Sequence, residues 1–208
     1  PIQFSEGNHS RLRPGDIKYR DLNGDGVIDD YDKMPIGFCD IPEITYGFGG
    51  AIEWKGFDVS IFFQGTARVS LFEEGSTIVP FSSGYKNNDG FLRGVMENRW
   101  TVDNPDPNAR YPRTIRPSDA LDNNNTKKSS FWVRNAAFLR LKNAEIGYTF
   151  PKRWMEKMAI QNLRLYVSGV NLLTWAPDVH LFDPDLGSGD GRKYPPTRVF
   201  NVGLNINF

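Results

Sequence analysis

The chain has one cysteine and two histidines in 208 residues. A lone Cys39 excludes an internal disulfide framework, and with only His9 and His180 beside it no Cys/His spacing can hold zinc. The same scarcity leaves any Ser/His/Asp or Cys/His catalytic set without support. No glycine-rich phosphate cradle follows a strand, and no pair of acids can be placed across a cleft, so an enzyme is not expected. No apolar run reaches the length of about eighteen residues that a membrane-spanning helix needs. Charge of one sign is not in excess: 25 basic residues balance 25 acidic ones, and the pI is near 7.3. Net charge therefore makes no case for nucleic acid or for an anionic membrane surface. No repeat of fixed period is present. The opening stretch PIQFSEGNHS carries neither a start Met nor the build of a signal peptide, which leads us to expect a fragment of a longer polypeptide.

What is abundant is aromatic and turn-forming. There are 15 Phe, 8 Tyr and 5 Trp, with 20 Gly and 14 Pro, a composition for strands and turns and not for long helices. The mean hydropathy is nevertheless negative, at −0.49. A soluble domain would bury these rings in one core, whereas a membrane β-barrel alternates them outward along each strand. Periodicity separates the two. In TRVFNVGLNINF, Phe200, Val202, Leu204, Ile206 and Phe208 share one parity, and the other is mostly small or amide. The stretches 44–54 (ITYGFGGAIEW) and 57–67 (FDVSIFFQGTA), joined by a tight turn at Lys55-Gly56, repeat the pattern. Two more strands are expected at 137–150 and 163–175. Lengths of this order suit the roughly 9–11 residues of a tilted membrane strand better than the roughly 5–6 of a soluble one. Links alternate short and long. A hairpin over 44–69, a loop over 70–136, two strands over 137–175, a loop over 176–195 and a terminal strand over 196–208 follow a leading loop over 1–43. Short links on one side and long ones on the other are the habit of outer-membrane barrels, in which the short side is periplasmic.

The leading loop contains DLNGDGVIDDYD (21–32), with five Asp in twelve positions. Asp21, Asn23 and Asp25 stand at loop positions 1, 3 and 5, Gly26 at 6, Val27 at 7 and Asp32 at 12. That is the oxygen-ligand spacing of an EF-hand calcium loop, with Asp replacing the usual Glu at position 12. Alternate side chains converge their oxygens, Val27 offers its carbonyl, Asp29 acts through water, and Gly26 permits the sharp turn. A structural Ca²⁺ is the expected cofactor; the plain alternative is a polar Asx-turn loop. The second acidic stretch, 183–191, lacks the spacing and reads as an ordinary turn. In the long loop, 89–113 reads as a short helix followed by a Pro-broken coil. The polar stretch 118–130 reads as mobile or on the surface.

Six segments in order carry a resemblance: GDIKYRDLNGDGVIDDYDKMPIG, PEITYGFGGAIEWKGFDVSIFFQG, NRWTVDNPDPNARYPR, FWVRNAAFLRLKNAEIGYTFP, LRLYVSGVNLLTW and YPPTRVFNVGLNINF. Together they resemble the C-terminal part of the SusC/RagA-type TonB-dependent transporters of Bacteroidetes. The resemblance implies an all-β chain: the last five or so antiparallel strands of a 22-stranded transmembrane β-barrel with long extracellular loops. It also implies import of oligosaccharides or peptides, a SusD-like lipoprotein lid, energy from TonB–ExbBD through a missing N-terminal region, and a plug that these residues lack. Localisation would be integral to the outer membrane, with the C-terminus periplasmic. Phe208, with Phe200, Val202, Leu204 and Ile206, would form the signal read by the barrel-assembly machinery. Tyr85, Trp100 and Tyr111 are candidate substrate contacts, since flat rings stack on sugars; the alternative is that they pack the loops. The competing reading is a secreted, calcium-stabilised β-sandwich that binds glycans. It requires the apolar faces to meet a second sheet.

Overall fold

The structure, a computed structural model, describes residues 3–4, 12–75, 78, 92–114, 124–154, 160–189 and 191–208. The chain divides into two compact units, one of 1–38, 71–134 and 187–192, the other of 39–70, 135–186 and 193–208. In chain order the elements are β1 (Gln3–Phe4), β2 (Val27–Ile28), β3 (Ile44–Trp54), β4 (Phe57–Ala67), β5 (Ser70–Phe72), α1 (Arg93–Glu97), β6 (Val133–Asn135), β7 (Phe138–Thr149), β8 (Asn162–Trp175) and β9 (Val199–Asn207). The five strands expected from alternation are all found, with ends shifted by a few residues.

The sheet unit is built on a five-stranded antiparallel sheet of order β3-β4-β7-β8-β9. Every neighbour in space is the next long strand in sequence, so this is an up-and-down meander. The β3–β4 turn is a two-residue loop in which Lys55 (φ 50°) and Gly56 (φ 89°) are both left-handed. That geometry matches the twist of the flanking strands. Strands of 11 to 14 residues, as β3, β4, β7 and β8 are, extend about 36–46 Å at roughly 3.3 Å per residue. Tilted by about 45° they project onto about 26–33 Å, the thickness of a bilayer's hydrocarbon core.

Cross-strand register settles which side chains share a face. Phe48↔Phe63, Ile52↔Val59 and Trp54↔Phe57 are partners on β3 and β4; Val59↔Ile146, Ile146↔Val167 and Val167↔Val202 continue the row across β7, β8 and β9. One face is therefore apolar over all five strands. Strict alternation fails in β7, where Leu139 and Leu141 are odd but Ile146 and Tyr148 are even. The ladder slips there: Leu141 pairs Leu173, while Asn143 pairs Val170. On the β4 side Phe62 pairs Asn143 and Phe63 pairs Leu141, which makes Lys142 the extra residue of a bulge; on the β8 side two residues, Asn171 and Leu172, stand against it. A bulge consumes the odd residue and returns the apolar side chains to one face.

The loop unit has a conventional core. Ile17, Leu71, Ile78, Val95, Tyr111 and Trp132 are buried in it. The expected short helix is α1, a single turn that buries Val95. The polar stretch 118–130 requires a correction. Residues 118–123 lie outside the described residues, but Asn124 and Asn125 are buried, not surface. Asn125 explains why. Its Oδ1 accepts the Ile17 N–H at 2.9 Å, its Nδ2 donates to Asp16 at 2.8 Å, and its carbonyl accepts the Trp132 indole N–H at 3.0 Å. A buried amide with its donors and acceptor paired costs little and fixes the segments it joins.

Candidate functional site

The apolar face of the sheet is where the structure departs most from a soluble protein. Trp54, Ile52, Val202 and Phe200 are each about two-thirds or more exposed, and Phe48, Phe57, Ile61, Ile146, Leu165 and Val167 are exposed beside them. A contiguous patch of this extent, spread over five strands, is far beyond what soluble monomers display. The sandwich alternative lacks its second sheet: among the described residues the other sheets have only two strands each. Phe200, Val202, Leu204, Ile206 and Phe208 all lie along β9 and its end, exposed, on the apolar parity.

The opposite face is polar and cross-linked by charge. Arg164 of β8 donates to Asp58 of β4 through two nitrogens and to Glu145 of β7 at 2.6 Å. Three strands are tied by one guanidinium, whose planar fork suits two carboxylates at once. Gly147 lies between: a Cβ there would stand 2.5 Å from the Arg164 Nη2 and 2.7 Å from the Asp58 carboxylate. The glycine is what lets the ions meet. Tyr166 lies against its cross-strand partner Gly203, where its ring occupies the space a side chain would take, and the Arg164 guanidinium carbon is 5.0 Å from the same ring centroid. Toward the other end of the sheet Arg140, buried, donates to Thr174 Oγ1 at 2.9 Å, to both oxygens of Asp183 and to Asp185 at 2.5 Å. The stretch 183–186, read from sequence as an ordinary turn, is thus also an anchor that pins a loop to β7.

In the loop unit the acidic loop folds as a chain of Asx turns. Asp21 accepts the N–H of Gly24 at 2.7 Å and of Gly26 at 2.8 Å; Asn23 accepts that of Asp25, and Asp25 that of Val27. Asp32 closes the loop on the N–H of Leu22 at 2.7 Å and of Asp29 at 2.9 Å. Those backbone donors hold the Asp32 carboxyl below the usual carboxylate range. Gly26 has φ 84°, the left-handed turn expected at position 6. The all-oxygen donor set suits calcium. Among the described residues, however, no group of three or more His, Cys, Asp or Glu is gathered closely enough to hold a metal. In this conformation the carboxylates serve the loop's own N–H groups.

The candidate aromatic contacts separate. Tyr85 lies outside the described residues. Trp100 is half-buried; its backbone N–H donates to the Tyr111 carbonyl at 2.9 Å and its ring closes over Gly15. Tyr111 is buried, its ring 6.3 Å from that of Trp132 and its hydroxyl 3.4 Å from Glu73. Burial and the Glu73 carboxylate both push its phenol pKa up. Tyr111 packs the core of this unit. Beside it Glu73 is buried, paired with Arg134 at 2.9 Å and Arg110 at 3.6 Å. A cleft of about 230 Å³ lined by Phe72, Glu73, Glu74, Thr126, Lys128 and Trp132 opens on this unit. That is below the size of ordinary small-molecule sites.

Comparison with known proteins places this two-faced sheet. The chain is 30% identical over 208 residues to TonB-dependent receptor P26 of Formosa agariphila, covering 93% of this chain and 20% of that protein. Over most of its length the chain is similar to TonB-dependent receptors. It is 26% identical over 205 residues to TonB-dependent receptor SusC of Bacteroides thetaiotaomicron, covering 94% of this chain and 18% of that one. Among solved structures, the RagAB peptide importer in its closed-closed state matches with a TM-score of 0.66 at 22% identity, over 90% of this chain and 20% of the other. The RagAB peptide transporter matches with a TM-score of 0.61 at 23% identity, over 87% and 19%. No protein-family model matches. The chain thus spans about a fifth of the length of the curated relatives it matches. Its all-β fold is that of a stretch of barrel wall in these receptors.

Proposed function

We propose that this chain is part of the wall of an outer-membrane, TonB-dependent transporter that imports a nutrient. The observation that carries the reading is the pairing of the two faces: an exposed apolar face continuous over five strands, and behind it a face of Arg, Asp, Glu, Asn and Gly. On this reading the first faces lipid and the second a polar lumen. The test uses the full-length polypeptide in bilayers, with Cys39 replaced by Ser and single cysteines placed at Val167 or at Ser168. The Ser168 position should react with a water-soluble maleimide, and the Val167 position only with a lipid-soluble one. Equal reaction of both with the water-soluble reagent would end the proposal.

The cargo, on this reading, is an oligosaccharide, with a peptide as the alternative, and the partner is a SusD-like lipoprotein lid. Oligosaccharide is the cargo that the resemblance read from the sequence implies first, and the likeness to RagAB, a peptide importer, supports the second. Purification of the full-length protein from native membranes, with mass spectrometry of what travels with it, decides both. A co-purifying lipoprotein with bound glycan is expected; bound peptide would reverse the cargo assignment, and a protein that purifies alone would remove the lid.

We further propose that the loop 21–32 takes up calcium through Asp21, Asn23, Asp25, the Val27 carbonyl and Asp32, the ion drawing the carboxylates off the loop's N–H groups. Support comes from the spacing and from the left-handed turn at Gly26. Asp25→Ala should lower both the calcium retained by the purified protein and the protection of this loop from proteolysis. Unchanged metal content would sink the assignment.

A further inference from the structure

Net neutrality conceals a local concentration of charge at the short-turn end of the sheet. The two turns there are neighbours, since the Thr149 N–H donates to the Gly56 carbonyl at 2.7 Å. On the apolar parity a ladder of rings runs across them. Phe57 and its cross-strand partner Tyr148 have centroids 4.6 Å apart, Tyr148 and Phe150 are 5.1 Å apart, and Phe150 and Trp154 are 6.0 Å apart. Trp54, paired with Phe57, carries the Lys55 ammonium 4.7 Å from its ring centroid. The ladder ends in a 3₁₀ turn, Lys152–Trp154, secured by the Trp154 N–H on the Pro151 carbonyl at 3.0 Å. Lys55, Lys152, Arg153 and Trp154 are all exposed.

Three cations therefore border the rings, and the described residues of the two turns, 55–56, 150–154 and 160–161, include no acid. The nearby acids on the strands, Glu53, Asp58 and Glu145, belong to the opposite parity, where Arg164 engages Asp58 and Glu145. Lys55 adds a second sign. It holds a left-handed φ of 50° at a turn position that Asn, Asp or Gly fills at less cost. A strained residue kept at such a position points to a use for its side chain.

We propose that this end of the apolar face binds the headgroups of anionic phospholipids, with Lys55, Lys152 and Arg153 as the charge partners and the ring ladder as the interfacial platform. The inference rests on the membrane-wall reading above, which puts the rings at headgroup depth, where amphipathic aromatics settle and basic side chains gather anionic lipid. Among the described turn residues no carboxylate competes for the phosphates, and the Glu156 that the sequence adds to the second turn is matched in charge by the adjacent Lys157.

The test is native mass spectrometry of the full-length protein, extracted from bilayers of mixed phosphatidylethanolamine and phosphatidylglycerol. The wild type should retain phosphatidylglycerol above its share of the bilayer. The Lys55→Gln/Lys152→Gln/Arg153→Gln variant should lose roughly tenfold or more of that enrichment. A Lys55→Arg/Lys152→Arg variant should keep it, and so should Lys128→Gln in the loop unit. Retention by the neutral variant, or no preference in the wild type, would overturn the site while leaving the wall reading intact. In native membranes, lipopolysaccharide held by these residues in place of phospholipid would also overturn it, by putting this end in the other leaflet. Failure of the protein to enter bilayers at all would overturn the wall reading and this site with it.

Discussion

The two units of this chain bury opposite things. In the loop unit, rings and aliphatic side chains such as Tyr111, Trp132, Leu71 and Val95 are hidden, and the buried polar groups Asn124, Asn125 and Glu73 are gripped by hydrogen bonds and ion pairs. In the sheet unit, Phe200, Val202, Ile52 and Trp54 are displayed while Arg140 is buried. The same physical rule produces both results. Apolar area leaves water and charge keeps its partners, but for the loop unit the medium is water, and on the membrane-wall reading proposed above one face of the sheet meets hydrocarbon. Identical residue types thus carry opposite meanings in the two units, and the medium is what must be inferred.

The comparison is broken most severely at Glu73. Its carboxylate is buried against two guanidinium groups, so Glu73→Ala strands like charges in a dry site, at a cost of about 3–5 kcal/mol. Hydrogen exchange should accelerate over 69–75 and 130–134 with the sheet strands unaffected; exchange equal to wild type would mean that the loop core does not depend on this cluster. A second substitution pair sharpens the difference between the faces. Val167→Arg puts a charge in the centre of the apolar row and should cost about 2–4 kcal/mol in vesicle unfolding, whereas Ser168→Arg, one residue on, should cost well under about 1 kcal/mol. Equal costs would deny that the faces meet different media.

The smallest effect is a titration. Tyr19 donates its hydroxyl to the Asn124 carbonyl at 2.6 Å, and burial pushes its pKa from 10.0 up to about 12. A raised folded-state pKa contributes stability that is fully present below pH 10.0 and is lost as the pH climbs toward about 12. Exchange protection of the Ile17–Tyr19 segment should therefore fade across that window, and Tyr19→Phe should remove the pH dependence. Fading with the same midpoint in the Phe variant would assign it to another group.

Some of this was legible from residue order alone. A strand's side chains alternate with a period of two, so apolar residues at every second position in 44–54, 57–67 and 199–208 declare both the element and its outward face before any partner is known. The spacing of Asp21, Asn23, Asp25 and Asp32 around Gly26 is local in the same sense, and the left-handed turn expected at Gly26 is found. Other features joined residues far apart and left no local trace. Asn125 reads as one amide in a polar tract, yet it meets Ile17 across 108 positions; Arg164 finds Asp58 across 106, and Arg140 finds Asp183 across 43. The aromatic Tyr111, read as a candidate contact, turned inward because Glu73 and Trp132 were brought to it.

Residue order by itself determined the strands, the apolar face and the turns that join them, because each depends on neighbours within a few positions. Only the tertiary structure decided which polar side chains are buried, where the bulge at Lys142 restores the apolar row, and how Gly147 makes room for an ion cluster. Those outcomes are set by long-range pairing, whose partners the register of the folded sheet supplies and local periodicity does not.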